Sequence, residues 1–243
     1  MKPFSSNFST RLLVPFLLIL ILAPFLFLSF YHINEQSILY HDAGMYLLET
    51  KFLDEGFRML LSLNSGELNQ SGFWENIKTK TEGVPLHSNK PGFNTVVWLA
   101  GTVLGVHDTL SAKVTAAAGV LSLLLMFIIA RKLGTKQSAL YSAAFLASSV
   151  FYLVYSRAGL AEQVTTFFFL MGLALYLYSQ HRSSAKILLY GAGFSLGCAF
   201  ACNHWRVLFM PFAMMGVDFL AALLYKKYPW KIFEKSAYLF FSS

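Results

Sequence analysis

The sequence predicts an all-α protein that crosses a membrane several times. Of its 243 residues, 56% are hydrophobic and only 13% are charged, whereas about a quarter of the residues in a soluble domain carry a charge. The mean hydropathy is +0.54, and the apolar residues form long runs separated by short polar segments. Because a membrane-spanning helix needs about 20 mostly apolar residues, this pattern indicates a polytopic transmembrane helical bundle.

Membrane topology also explains the positive charge of the chain. The net charge is +7, which in a soluble protein would suggest binding to nucleic acid. Here the Lys and Arg residues lie in short clusters between apolar runs, as they do in the cytoplasmic loops of membrane proteins. We therefore expect the chain to interact with a membrane and with no nucleic acid.

The apolar runs divide the chain into segments. The first span is predicted over residues 12–31 and lacks the short core and the cleavage site of a signal peptide. An extracytoplasmic loop over 32–91 and a shorter apolar segment over 93–106 follow it. Further spans are predicted at 111–129, 139–155, 164–178, 187–202 and 207–225, and residues 236–243 resemble the start of another span. We therefore expect a single transmembrane domain that belongs to a longer protein.

The basic clusters decide how the segment 93–106 lies in the membrane. Its length is below that of a span, which favours a re-entrant or interfacial segment. If it does not cross, the basic clusters after 111–129, 164–178 and 207–225 all lie on the same side as Arg11. This arrangement obeys the positive-inside rule. It places the N-terminus in the cytoplasm, and the loop 32–91 and the turns at 156–162 and 203–206 on the extracytoplasmic face.

The first part of the loop is predicted to form an amphipathic helix over residues 42–61 that lies in the membrane interface. Its apolar stripe consists of Met45, Leu48, Phe52, Leu53, Phe57 and Leu60. The opposite, polar face consists of Glu49, Lys51, Asp54 and Arg58. The rest of the loop, over 64–91, is rich in turn-forming residues and is predicted to have little regular structure.

Four ionisable residues stand out on the predicted extracytoplasmic face: Asp42, Lys90, Arg157 and Glu162. Ionisable residues beside a hydrocarbon core are costly, and they commonly mark a functional site. Each residue also has a structural interpretation. Asp42 could cap the amphipathic helix, Glu162 could interact with the dipole of the next helix, Lys90 could be a solvated loop charge, and Arg157 could be a topology charge.

The order of these motifs resembles that of the GT-C glycosyltransferases. His41-Asp42 follows the first span, Lys90-Pro91 enters the short apolar segment, and Ser156-Arg157 and Glu162 precede a Phe-rich span. The pattern is most similar to glycosyltransferase family 39, the protein O-mannosyltransferases, and to the bacterial aminoarabinose transferases. This resemblance implies a multi-pass enzyme of the plasma (inner) membrane. Such an enzyme moves a sugar, with inversion, from a dolichyl- or undecaprenyl-phosphate donor to a lipid, glycan or protein acceptor.

The resemblance also implies roles for individual residues. Asp42 would act at the acceptor, Glu162 would be a second catalytic carboxylate, and Lys90 and Arg157 would lie near the donor phosphate. Arg206 could also contact the donor, or it could anchor the interface together with its neighbour Trp205. These residue types suit the reaction, because a carboxylate can accept the acceptor proton and cations stabilise the departing phosphate.

Two departures from the family pattern affect these expectations. Ala43 stands where many relatives have Glu, and Gly92 stands where they have a second Pro. The missing Glu argues against a protein acceptor and makes Glu162 the candidate for the second carboxylate. His41 and His87 could bind a divalent metal ion together with Asp42 or Glu162. A divalent metal ion is therefore the candidate cofactor.

Two other functions remain open at the level of sequence. A transporter or lipid flippase would use the same bundle without covalent chemistry, and it would favour an internal repeat of spans. The sequence contains no such repeat that we can detect, and its charges cluster at one predicted face. A non-catalytic membrane scaffold would leave the four ionisable residues far apart.

Overall fold

The fold is all-α in the computed structural model, which describes residues 6–35, 41–64, 75, 90–179 and 185–203. These residues contain no β-strand, which confirms the predicted helical membrane bundle. A 3-10 turn at Ile33–Glu35 follows the first helix. The helices are α1 (Ser6–Phe30), α2 (His41–Asn64), α3 (Pro91–Leu104), α4 (Leu110–Leu133), α5 (Lys136–Ala147), α6 (Val150–Arg157), α7 (Ala161–Ser179) and α8 (Ala185–Cys202). The predicted spans at 207–225 and 236–243, and most of the loop over 64–91, lie outside the described residues.

Three segments of the described chain are long and apolar enough to cross a membrane: Leu13–Glu35, Leu110–Leu133 and Ala161–Ser179. They contain the predicted spans 12–31, 111–129 and 164–178, apart from the first residue of 12–31. Large apolar side chains of α1 such as Phe16 and Ile19 are exposed, as expected of a helix that faces lipid. The apolar part of α8, Lys186–Cys202, is shorter.

The predicted span over 139–155 is broken in two. Helices α5 and α6 meet at an angle of 63°, and Ser148 and Ser149 lie between them. Ser149 has extended backbone angles, and its hydroxyl accepts a hydrogen bond from the Tyr152 amide at 3.3 Å. Since a serine that caps a new helix offers the backbone an alternative to continuing the old one, this pair of serines accounts for the break.

Helix α2 confirms the predicted helix but corrects one of its faces. Leu48, Leu53, Phe57 and Leu60 are exposed, in agreement with an apolar stripe directed at lipid. Glu49, which we placed on the polar face, is only 5% exposed. Glu49 is buried because α3 packs against this side of α2. The periodicity of the α2 sequence could not reveal this contact.

The short helix α3 lies among the longer ones. Its 14 residues extend about 21 Å, less than the hydrocarbon thickness of about 30 Å. Its re-entrant or interfacial position in the membrane stays a prediction. The helix contacts α2, α4, α7 and α8. Phe93 and Val97 are completely buried in a cluster that also contains Tyr46 of α2 and Val164 of α7. This cluster brings the start of α3 to the start of α7.

Helix α4 is the centre of the bundle, because it contacts α1, α5, α6 and α7 as well as α2 and α3. Gly119 lets α6 approach it closely. A Cβ atom at this position would lie 2.5 Å from Ser156 Oγ. The Tyr152 hydroxyl also donates a hydrogen bond to the Gly119 carbonyl at 2.9 Å.

Gly119→Ala should therefore lower the stability of the protein, because α4 and α6 would have to separate. Overpacking of this kind costs about 1–3 kcal/mol, which should appear as a lower melting temperature of the purified protein in detergent. Gly56→Ala in α2 is the matched control, because no atom lies within 4 Å of its added Cβ. Alanine is the better helix former, so this control should leave the melting temperature unchanged or raise it. An equal effect of the two changes would contradict the packing argument.

Candidate active site

The centre of the candidate site is an ion pair between Lys90 and Glu162. Lys90 Nζ lies 3.1 Å from Glu162 Oε1, although the two residues are 72 positions apart in the sequence. The side chains are only 15% and 25% exposed. Charged groups are rarely buried unless they are paired, so separating these two residues would be costly. The pair therefore holds the start of α3 against the start of α7. The structure thus brings together two of the four ionisable residues that the sequence singled out.

Close packing fixes the position of Lys90. The residue immediately precedes α3, whose first position is Pro91. Gly92 lies against the end of α8, where an added Cβ would be 2.7 Å from the Ala201 carbonyl carbon. A residue with a side chain would push α3 away from α8, so this close approach requires glycine at position 92.

Tyr46 of α2 is the second neighbour of Lys90. The Lys90 ammonium group lies 5.1 Å from the centre of the Tyr46 ring, and that ring packs edge-on against Phe93 at 5.1 Å. Burial lowers the pKa of Lys90, but the hydrogen bond with Tyr46 and the negative charge of Glu162 raise it more, so the pKa lies above its ordinary value. Lys90 therefore stays protonated at neutral pH.

Glu162 lies in the first turn of α7. The preceding turn contains Gly159 at φ +69°, a conformation that favours glycine, and its amide donates to Thr115 Oγ1 of α4 at 3.3 Å. Asn203, which is 3% exposed at the end of α8, approaches Glu162 Oε1 with its amide nitrogen at 3.5 Å. The carboxylate also benefits from the positive end of the α7 dipole, so the structural and functional interpretations of Glu162 are compatible.

A cavity of about 590 Å³ opens beside Glu162. It lies where α4 and α7 face the bend between α5 and α6, and its polar lining includes Glu162, Gln163 and Asn203. Most of its wall is apolar and includes Met126, Leu146, Phe151, Tyr155, Phe169 and Leu170. A largely apolar space with a few polar groups is typical of a site for an amphipathic ligand.

A family comparison agrees with this geometry. Residues 87–241 match the model of the family described as dolichyl-phosphate-mannose-protein mannosyltransferase. The match covers well over half of the chain. The chain belongs to this family. No curated protein and no solved structure matches it.

Membership of the family confirms the resemblance to the GT-C glycosyltransferases. It identifies the chain as an integral membrane glycosyltransferase of the kind that depends on a polyprenyl-phosphate sugar. The matched region includes Lys90, Arg157 and Glu162, and it also includes Arg206, which lies outside the described residues. Asp42 precedes the matched region, so its assignment depends on the sequence motif and on its place in the fold.

Asp42 is the second residue of α2, one helical turn before Tyr46. The side chains of His41 and Asp42 and the whole of His87 lie outside the described part of the structure. Their predicted roles in catalysis and in metal binding therefore stay predictions. Among the described side chains, no three His, Cys, Asp or Glu residues are close enough to hold a metal ion.

Arg157 makes contacts that the sequence did not predict. Its guanidinium group donates hydrogen bonds to the carbonyls of Leu28 and Tyr31, the latter at 2.8 Å. These carbonyls are at the end of α1, where backbone acceptors lack helical partners. Arg157 thus joins α6 to the end of the first span, and its predicted contact with the donor phosphate stays a prediction.

A second buried carboxylate near Lys90 was missed by the sequence analysis. Glu49 accepts a hydrogen bond from the Asn94 side chain, and Asn94 is only 1% exposed. The signal was available in the sequence, because Glu49 follows Tyr46 by three residues. That spacing places both residues on one helix face, but without α3 the face could not be identified as buried.

The raised pKa of Lys90 predicts how its contribution to stability depends on pH. Lys90 is ordinarily half-protonated at pH 10.5 in an unfolded chain. A group whose pKa is higher in the folded state stabilises the fold fully below the unfolded pKa, and this contribution is lost as the pH rises through the folded pKa. Lys90→Met should therefore lower the melting temperature by a constant amount between about pH 6 and pH 9, and the difference should shrink only above about pH 10.5.

Lys51→Met is the matched control for this measurement. Lys51 also pairs with a carboxylate, that of Asp108 at 3.1 Å, but both side chains are largely exposed. Exposed pairs contribute little, so the control should change the melting temperature much less. A difference for Lys90→Met that fades already around neutral pH would contradict the assigned direction of the pKa.

Proposed function

We propose that this protein transfers a sugar from a polyprenyl-phosphate donor to an acceptor hydroxyl on the extracytoplasmic face of the membrane, with inversion at the sugar. The observation that carries the proposal is the largely buried Lys90–Glu162 pair, whose carboxylate lines an apolar cavity. A polyprenyl-phosphate sugar has matching parts, a long apolar chain and an anionic group at its end. Family membership supports the same donor class.

Lys90 is the proposed ligand of the donor phosphate. An ammonium group has three donors, so Lys90 can bind a phosphate oxygen while it keeps its contact with Glu162. Its charge would stabilise the negative charge that develops on the departing lipid phosphate. Arg157 and Arg206 are the further cations that we assign to this phosphate. For Arg157 this requires that the side chain reach the donor from its position at the end of α1.

The proposed reaction is a single displacement. The acceptor oxygen forms a bond to the anomeric carbon while the bond from that carbon to the phosphate oxygen breaks, and its electron pair stays on the lipid phosphate. The acceptor proton passes to the carboxylate of Asp42. Glu162 is the second carboxylate of the site, and it keeps the Lys90 ammonium group in place. A divalent metal held by His41 and His87 would assist by binding phosphate oxygens.

The donor and acceptor are proposed only by class. The donor is a dolichyl- or undecaprenyl-phosphate sugar, with either a hexose or a pentose. Ala43 in place of an acidic residue favours a lipid or glycan acceptor over a protein. We assign the N-terminus to the cytoplasm and the site to the outer face of the plasma (inner) membrane, and the distribution of the basic clusters supports this orientation.

Asp42→Asn in the full-length protein should reduce sugar transfer by about 10²- to 10⁴-fold, because the amide cannot accept the acceptor proton. The measurement is transfer of a radiolabelled sugar from polyprenyl phosphate to endogenous acceptors in membrane vesicles. Asp54→Asn is the matched control on the same helix, since Asp54 pairs with the exposed Arg58 at 2.9 Å, and it should retain full activity. Wild-type turnover by Asp42→Asn would exclude Asp42 as the base. Substrate accumulation in sealed vesicles without any glycosylated product would favour a transporter instead.

The cavity predicts a dependence on the lipid chain. Thr166 lines the cavity, so Thr166→Phe should raise the KM for a long-chain polyprenyl-phosphate sugar and change the KM for a short-chain donor much less. Thr102→Phe is the matched control, because Thr102 is exposed on α3 and forms the same kind of hydrogen bond to its own helix. Equal changes in KM for long and short donors would show that the chain binds elsewhere.

A further inference from the structure

We propose that Glu49 is a positioning residue for Lys90. Its buried carboxylate holds the first turn of α3 through Asn94 and thereby places the Lys90 ammonium group beside Glu162. The importance of this for catalysis rests on the proposed function, in which Lys90 binds the donor phosphate. The positioning itself is a property of the fold and can be measured without the reaction.

The burial of Glu49 is the first reason for this assignment. The residue is 5% exposed, whereas Asp54 and Glu55 of the same helix are more accessible. A buried carboxylate is costly unless hydrogen bonds compensate for the lost water. Leucine at this position would bury apolar surface without that cost, so packing alone does not explain an acidic residue here.

Asn94 connects Glu49 to Lys90. The Asn94 side chain donates to Glu49 Oε2, and its backbone amide donates to the Lys90 carbonyl at 3.3 Å. Asn94 follows Lys90 by one helical turn, so this backbone bond closes the first turn of α3. The side chain of one residue therefore binds α2 while its backbone holds Lys90.

Tyr46 provides a second attachment on the same face of α2. It precedes Glu49 by three residues, and it contacts both Lys90 and the fully buried Phe93. Two attachments one turn apart determine the rotation of α3 about its axis as well as its distance from α2. The direction in which the Lys90 side chain leaves the backbone depends on this rotation.

Local sequence does not supply this control. Lys90 is the N-cap of α3, and no side-chain hydrogen bond caps the helix there. The next residues, Pro91 and Gly92, offer no side-chain polar group. The orientation of the first turn must therefore come from contacts with other helices, and the Glu49–Asn94 hydrogen bond is a buried polar contact that links it to α2.

The test measures the reactivity of Lys90 directly. The full-length protein in detergent is treated with a limiting amount of an amine-acylating reagent, and the labelling rate of each lysine is read by peptide mass spectrometry. Lys90 should react slowly in the wild type, because its ammonium group is protonated, largely buried and paired with Glu162. Glu49→Ala should speed up the labelling of Lys90 about fivefold or more, the effect expected when a buried hydrogen bond is lost.

A pair of substitutions distinguishes positioning from general damage. Glu49→Gln keeps an oxygen that can accept from Asn94, so Lys90 labelling should stay within about twofold of the wild type, less than the loss of a hydrogen bond would produce. Asn94→Asp places two carboxylates against each other and should increase labelling the most. Combining Asn94→Asp with Glu49→Gln restores one donor and one acceptor, and it should return the rate toward the wild type. This rescue keeps the proposal testable even if Asn94→Asp alone does not fold.

Two controls and the opposing results complete the test. Glu55→Ala removes an exposed carboxylate from the same helix and should leave Lys90 labelling unchanged. The rate at Lys132, which is partly buried against the Tyr178 ring, reports any global loosening. Unchanged Lys90 labelling in Glu49→Ala would overturn the proposal. Equal acceleration at Lys90 and Lys132, or no rescue in the double variant, would also overturn it.

Kinetics separate this proposal from the proposed function. If both hold, Glu49→Ala should raise the KM for the polyprenyl-phosphate sugar more than it lowers kcat, and Glu49→Gln should restore the KM. If the wild type transfers no sugar but the labelling pattern is as expected, the proposed function fails and the positioning role stands. If transfer is normal and the labelling does not respond, the positioning role fails alone.

Discussion

The site depends on the cost of removing two charges from water. Lys90 and Glu162 come from helix starts that are far apart in sequence, and each would be costly to bury alone. Together they hold the start of α3 against the start of α7, with 3.1 Å between Lys90 Nζ and Glu162 Oε1. Tyr46 reaches the pair from α2, and Asn203 reaches it from the end of α8. Polar side chains from four helices therefore meet at this ion pair, next to the apolar cluster that contains Phe93 and Val164.

Small residues make this convergence possible. Gly92 brings α3 against the backbone of α8, and Gly119 brings α6 against α4. In a membrane there is little hydrophobic driving force between helices, so close backbone approach and interhelical hydrogen bonds carry more of the association. The Tyr152–Gly119 and Glu49–Asn94 hydrogen bonds have this role. The same contacts that stabilise the bundle also hold the charged groups of the site.

The break between α5 and α6 contributes to function in another way. The 63° bend at the two serines places Leu146 and Phe151 on the wall of the cavity that opens at Glu162. An apolar space next to an ion pair is what a lipid-linked anionic donor requires. The bend therefore helps to combine the two parts of the proposed site.

The sequence by itself determined the all-α membrane class and most of the helices, because long apolar runs are visible along the chain. The order of its charged motifs determined the family resemblance. The sequence also singled out Lys90 and Glu162, since charges beside apolar runs are visible in the chain. Only the tertiary structure decided that these two residues form a pair, that Arg157 binds the end of α1, and that Glu49 is buried. Burial depends on which helix packs on which face, and the sequence of α2 gave no indication that α3 would cover Glu49 while Lys51 and Arg58 stay exposed. The sequence also did not predict the bend at Ser149. A serine inside an apolar run can lie within a helix or cap a new one, and only the structure shows which of the two occurs.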